Sequence, residues 1–162
     1  MNTGAAISIR RGGGFAWQIP FSRKELVRIL AAMRRACGHE DMPVELVLAD
    51  DAVVSEANAA FLDCIGPTNI LSFPPYFGPC LGSTLPGQGL LALSLDGICR
   101  ECLLYGQDPA EHTLHLLAHG MAHLTGLDHG EAMTEREAGI LRAGLAAWRE
   151  GLEKEWGRVS NS

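Results

Sequence analysis

The spacing His119-x-x-x-His123-x-x-Gly126-x-x-His129 restricts this chain more than any other feature. Residues four apart on a helix project from one face, one turn apart. His119 and His123 can meet a single metal ion if this segment is helical. Gly126 then ends the helix, and His129 returns to the same point from the following loop. Three neutral imidazoles leave a fourth coordination position open, which is the arrangement of catalytic rather than structural zinc. An ion held this way lowers the pKa of a coordinated water and polarises carbonyl or phosphoryl oxygens. One Zn2+ is the expected cofactor, although nickel, copper or cobalt suits the same ligands. His115 lies one turn before His119 on the same stripe. It reads as a hydrogen-bonding partner of a ligand imidazole or as a partly buried residue. His112, in the first turn, reads as exposed.

The spacing resembles that of metzincin proteases, which carry glutamate directly after the first histidine as general base. Here that position is Gly120. The metal scaffold is kept without the proteolytic base, so hydrolysis of another bond is expected.

Helix and strand signals surround this motif. Ser22 and Glu25 form a capping box before Leu26, Ile29, Leu30 and Met33, and Gly38 closes that helix. Ala5–Arg10 and Pro43–Ala49 read as strands, the second with Val44, Leu46 and Leu48 on one face. Phe15–Ile19 reads as a short extended segment. Asp50 and Asp51 cap a helix through Phe61, and Thr68–Phe73 is a strand stopped by Pro74 and Pro75. The Gly- and Pro-rich stretch Pro75–Gly89 is a functional loop at a rim. Leu90–Leu95 is a fourth strand, followed by a helix capped by Asp96. Asp108-Pro109 opens the histidine helix. Thr134 and Glu137 form a second capping box for a C-terminal helix. The pattern gives an α+β fold over residues 1–162 as a single domain, in which a small, mostly parallel sheet of about four strands packs against about five helices.

Composition narrows the functional classes. The chain has 162 residues and a net charge of −6, which makes it no obvious nucleic-acid binder by charge alone. Yet seven of its thirteen basic residues lie in the first 40 positions. Lys24, Arg28 and Arg35, with Arg23 and Arg34 nearby, make the 22–37 helix a candidate basic face. No apolar run approaches the roughly 18–20 residues of a membrane span. With no signal-peptide pattern, a cytoplasmic location is expected. Five cysteines argue for reduced thiols. Cys99 and Cys102, a lone C-x-x-C, read as packing residues of a helix.

The segment His119-Gly-Met-Ala-His123-Leu-Thr-Gly126-Leu-Asp128-His129 resembles the H-G-x-x-H-L-x-G-Y-D-H signature of the YbeY family. Pro67-Thr68-Asn69-Ile70-Leu71-Ser72-Phe73-Pro74 resembles its second signature, P-T-D-V-L-S-F-P. Gly89 to Ser94 echoes a weaker third segment, L-G-D-I-x-I-S. The resemblance implies a zinc-dependent, single-strand-specific endoribonuclease of late small-subunit rRNA maturation and ribosome quality control. Its implied partners are an rRNA precursor or the small ribosomal subunit, with no DNA and no membrane. It also implies that His119, His123 and His129 are the metal ligands. The basic first helix then becomes a candidate contact to RNA phosphates.

Four departures qualify that reading. The stretch Ala57-Asn58-Ala59-Ala60-Phe61-Leu62 matches the family's L-N-x-x-Y-R, with Leu62 in place of arginine. An arginine beside such a metal binds phosphate or stabilises phosphoryl charge, and leucine does neither. Asn69 and Leu90 stand where the signatures carry aspartate, and Leu127 stands for tyrosine. Asp128 is a candidate to orient a ligand, and no general base is evident. Two rival readings stay open: a metal-dependent hydrolase of another substrate such as peptides, and a non-catalytic ribosome-associated metal-binding protein.

Overall fold

The computed structural model describes residues 6–14, 18–77, 81–82 and 87–159. Four strands form one sheet: β1 (Ile7–Gly12), β2 (Val44–Ala49), β3 (Ile70–Phe73) and β4 (Gly89–Ser94), in the order β1-β2-β4-β3. β1, β2 and β4 run parallel, with Ile9 opposite Leu46 and Leu46 opposite Leu91. β3 is antiparallel to β4, with Leu71 opposite Ala92. The five helices are α1 (Arg23–Ala36), α2 (Asp51–Leu62), α3 (Leu95–Tyr105), α4 (Pro109–Leu124) and α5 (Glu131–Val159). The expected α+β architecture is the one observed. None of the described helices is long and apolar enough to cross a membrane.

Every residue of β2 and β4 is buried, as expected for central strands covered on both faces. Alternation divides their side chains between two cores. Val44, Leu46, Leu48, Leu91 and Leu93 meet the larger one, with side chains of α1, α4 and α5. Val47, Ala49, Leu90 and Ala92 meet the smaller one, with Val54 and Ala57 of α2.

The helix starts follow local chemistry. At α1, the Ser22 amide donates to Glu25 Oε2 at 2.7 Å and the Glu25 amide donates to Ser22 Oγ at 3.2 Å. This is the expected capping box, and Gly38 follows the helix with φ +76°. Asp50 caps α2 by accepting from the Val53 amide at 2.9 Å. Its other oxygen accepts from the Gly14 amide, also at 2.9 Å, and so ties the end of β1 to the start of α2.

Several expectations are corrected. The cap of α3 is Ser94, whose hydroxyl accepts from the Gly97 amide, while Asp96 accepts from the Asp51 amide. α5 starts at Glu131, three residues before Thr134. The Thr134 hydroxyl donates to the Gly130 carbonyl instead of capping, and Glu137 is engaged elsewhere. The expected basic face on α1 is reduced: Arg23, Lys24 and Arg35 are exposed, and Arg28 is half-buried. Arg34 is buried and donates to the Met42 carbonyl at 3.0 Å. Arg28 donates to the Ala147 carbonyl of α5, and Arg23 to the Ile9 carbonyl of β1. These guanidiniums tie elements together, leaving Lys24 and Arg35 exposed without such a contact among the hydrogen bonds described. Part of the expected Phe15–Ile19 segment and of the Pro75–Gly89 loop lies outside the described residues. The start of that loop is a short 3-10 turn, Pro75–Phe77.

Cys99 and Cys102 lie on α3, where Cys102 packs against the larger core. Cys37, at the end of α1, is 2% exposed. Burial pushes its thiol up to about 11, against a smaller opposing pull from Arg136. Only the thiolate reacts readily, so Cys37 is expected to resist iodoacetamide at pH 8 while exposed Cys64 is alkylated, as read by mass spectrometry of the native protein. The neutral thiol is the form the fold favours, so its contribution to stability is expected to decline as pH rises from 9 towards 11.

Candidate metal centre

α4 is built to hold two imidazoles on one face. Asp108 accepts from the Ala110 and Glu111 amides, each at 2.9 Å, and Pro109 occupies the first helical position. These groups use the free amides and fixed φ of a helix start. The helix ends when the Thr125 and Gly126 amides donate to the Ala122 and His123 carbonyls. Gly126 has φ +80°, a conformation that costs glycine little. The chain turns there and carries His129 back.

The three histidines converge. Their ring centroids are 4.7 Å apart for His119–His123, 4.9 Å for His123–His129 and 5.7 Å for His119–His129. One nitrogen from each lies within 4.8 Å of the others, so the group could hold one metal ion. His119 and His123 are half-buried and His129 is exposed. Burial, followed by the neighbouring His119 and His129, lowers the pKa of His123, while a hydrogen bond to the Leu127 backbone and the Asp128 charge oppose the shift. The neutral ring that a metal requires is thereby favoured.

Glu137, on α5, was not anticipated here. Its Oε2 lies 3.0 Å from His119 Nδ1. An ionised carboxylate only accepts, so this contact puts the proton on Nδ1 and leaves Nε2 as the lone-pair donor. The signal was present in the periodicity. Met133 and Ile140 are buried, and Glu137 lies between them at helical spacing. It is a carboxylate on an inward stripe. Asp128, the residue expected to orient a ligand, is exposed at the cavity lining.

The other histidines lie apart. His112 is not exposed as expected: its side chain is 11% exposed and its Nε2 lies 2.5 Å from Glu101 Oε2. Asn69 donates to the same carboxylate at 3.1 Å. An aspartate at position 69 would face Glu101 with like charge, so this network suits the amide found there. His115 lines a separate cavity with Asp108, Glu111 and His112. It partners none of the three clustered histidines in the contacts described.

The cluster opens into a cavity of about 380 Å³ bordered by Leu62, Ser72, Pro74, Tyr76, Leu127 and Asp128. Leu62, which stands for the arginine of the resembling segment, is thus at the cavity itself. Among the described lining residues there is no arginine or lysine. Gly120 sits close against the sheet. A Cβ there would lie 2.7 Å from Ile70 Cδ1 and 2.9 Å from Leu91 Cδ2. α4 therefore lies directly on β3 and β4, and a larger residue at 120 would require the ends of those side chains to shift.

Comparison with known proteins shows the family and the fold. The family model described as Endoribonuclease YbeY matches residues 18–143. A protein named Endoribonuclease YbeY from Nitratidesulfovibrio vulgaris is 43% identical over 145 residues, covering 81% of this chain and 90% of its own. Another of that name, from Lawsonia intracellularis, is 37% identical over 122 residues, covering 75% and 85%. A solution structure of a Thermotoga maritima protein shares the fold, with a TM-score of 0.57 and 18% identity, over 90% of this chain and 93% of that one.

Two outcomes are expected. Gly120→Ala should lower stability by about 1–3 kcal/mol in urea unfolding, because both contacted side chains are buried. Glu137→Ala should leave the fold intact and weaken metal affinity roughly 10–100-fold in calorimetric titration.

Proposed function

The chain belongs to the YbeY family, and on that premise we propose that it is a single-strand-specific endoribonuclease that uses one zinc ion held by His119, His123 and His129. The convergence of three imidazoles within 4.8 Å at the mouth of a cavity carries the reading. The donor set fits a catalytic zinc: three neutral nitrogens, one of them oriented by a carboxylate, with room left for a further ligand. When bound, the ion would supply Lewis acidity towards a phosphoryl oxygen and a nucleophilic water near neutral pH.

The residues of the chain would do the rest. Glu137 fixes the tautomer and orientation of His119 through the 3.0 Å contact. Burial keeps His123 neutral, and the turn at Gly126 carries His129 to the pair. Leu62 gives an entering phosphodiester no charge to bind, so compensation of the developing phosphoryl charge is weaker than an arginine would provide. Slow turnover follows from that. The substrate inside the cell is an rRNA precursor or the small ribosomal subunit in the cytoplasm. The first of these follows the family's role, and the basic α1 adds little to it because three of its arginines are tied into the fold.

Leu62 also favours a second reading, a ribosome-associated protein whose metal is structural. A peptide hydrolase has less support, because Gly120 stands where such enzymes carry their base. Metal-loaded protein is expected to cut unstructured RNA, to spare duplex RNA, and to stop on chelation. His123→Ala should lose both metal and cleavage. Equal degradation by the variant would sink the nuclease reading. Co-sedimentation with small subunits without turnover would transfer support to the structural one.

A further inference from the structure

We propose that Tyr76 and Leu62 form a stacking subsite for an unpaired nucleobase of RNA, beside the histidine cluster. This rests on the endoribonuclease reading above and adds how the cavity selects its substrate.

Tyr76 lines the same cavity as His119, His123 and His129, yet 79% of it is exposed. Its position is built. Pro74 and Pro75 fix two φ angles in succession. The Phe77 amide donates to the Pro74 carbonyl at 2.9 Å and closes the turn. Phe77 then packs on Phe73 with ring centroids 5.1 Å apart, and on Phe61 at 6.1 Å. The turn is thus anchored through one aromatic ring while the ring before it is presented to solvent. A ring held on such a turn loses little conformational freedom when something stacks on it.

The side chains around Tyr76 and Leu62 suit a base rather than a phosphate. Its described lining carries no cation, and Asp128 is its one carboxylate. Apart from an ion at the three histidines, an RNA backbone finds no side-chain cation there, which leaves the wall around Tyr76 to contact a base. Leu62, 41% exposed, extends the apolar surface at the position where the family arginine is missing. Every nucleobase has a π-face, and aromatic side chains hold unpaired bases through it. Bases in a duplex have those faces covered by their neighbours, so the subsite admits only unpaired nucleotides.

The test uses metal-loaded protein and a fluorescein-labelled 2′-O-methyl oligoribonucleotide, which resists cleavage, with affinity read by anisotropy. Tyr76→Ala is expected to weaken binding about tenfold or more, while Tyr76→Phe and Tyr76→Trp stay within about twofold of the parent. Metal content should be unchanged in all three by elemental analysis. An abasic position in the oligonucleotide should weaken the parent protein to a similar degree and leave Tyr76→Ala unaffected. If Tyr76→Ala binds like the parent while the parent cleaves unstructured RNA, the subsite is overturned and the nuclease reading stands. If the parent neither binds nor cleaves RNA, both fall together.

Discussion

The close seating of α4 on β3 and β4 is the constraint from which the rest of the structure follows. Gly120 makes it possible, because a methyl group at that position would run into Ile70 and Leu91. With the helix pressed onto the sheet there, the residues on either side of the contact, His119 and His123, are held at its edge. The antiparallel β3 supplies Ser72 to the wall of the cavity and leads directly into the proline turn that carries Tyr76. A glutamate after the first histidine would have to displace the ends of the Ile70 and Leu91 side chains. The residue that allows this contact is also the one that leaves the cluster without the glutamate of the proteases its spacing resembles.

Much of this was legible in the sequence, because the signals were local. A capping box, an aspartate-proline helix start and a glycine stop each act within a few residues, and Ser22, Asp108 and Gly126 behave as their chemistry dictates. The histidine cluster was legible because its spacing only makes sense on a helix followed by a turn. What escaped depends on tertiary partners. Thr134 and Glu137 have the form of a capping box, but the helix begins earlier and the carboxylate answers to an imidazole on another helix. Arg28 and Arg34 look like a solvated basic face until α5 and the chain around Met42 offer them carbonyls. His112 looks exposed until Glu101 meets it across 11 positions of sequence.

Charge is distributed in an instructive way. Arg23, Arg28 and Arg34 of α1 each donate to an internal carbonyl, and Arg10 pairs with Glu45 at 2.6 Å. Arg100 pairs with Asp51, whose pKa falls chiefly through that bond. These arginines hold helices and strands together, while the described lining of the cavity at the histidines contains neither arginine nor lysine.

The contact between Glu137 and His119 joins two helices whose contact residues are 18 positions apart. An ion bound by His119 would polarise that imidazole and strengthen its hydrogen bond to the carboxylate. Docking of α5 and occupancy of the cluster would then share free energy, each favouring the other by mass action. The tertiary structure of this chain would accordingly sense the supply of free metal, and a starved molecule would loosen first where its longest helix meets the histidines.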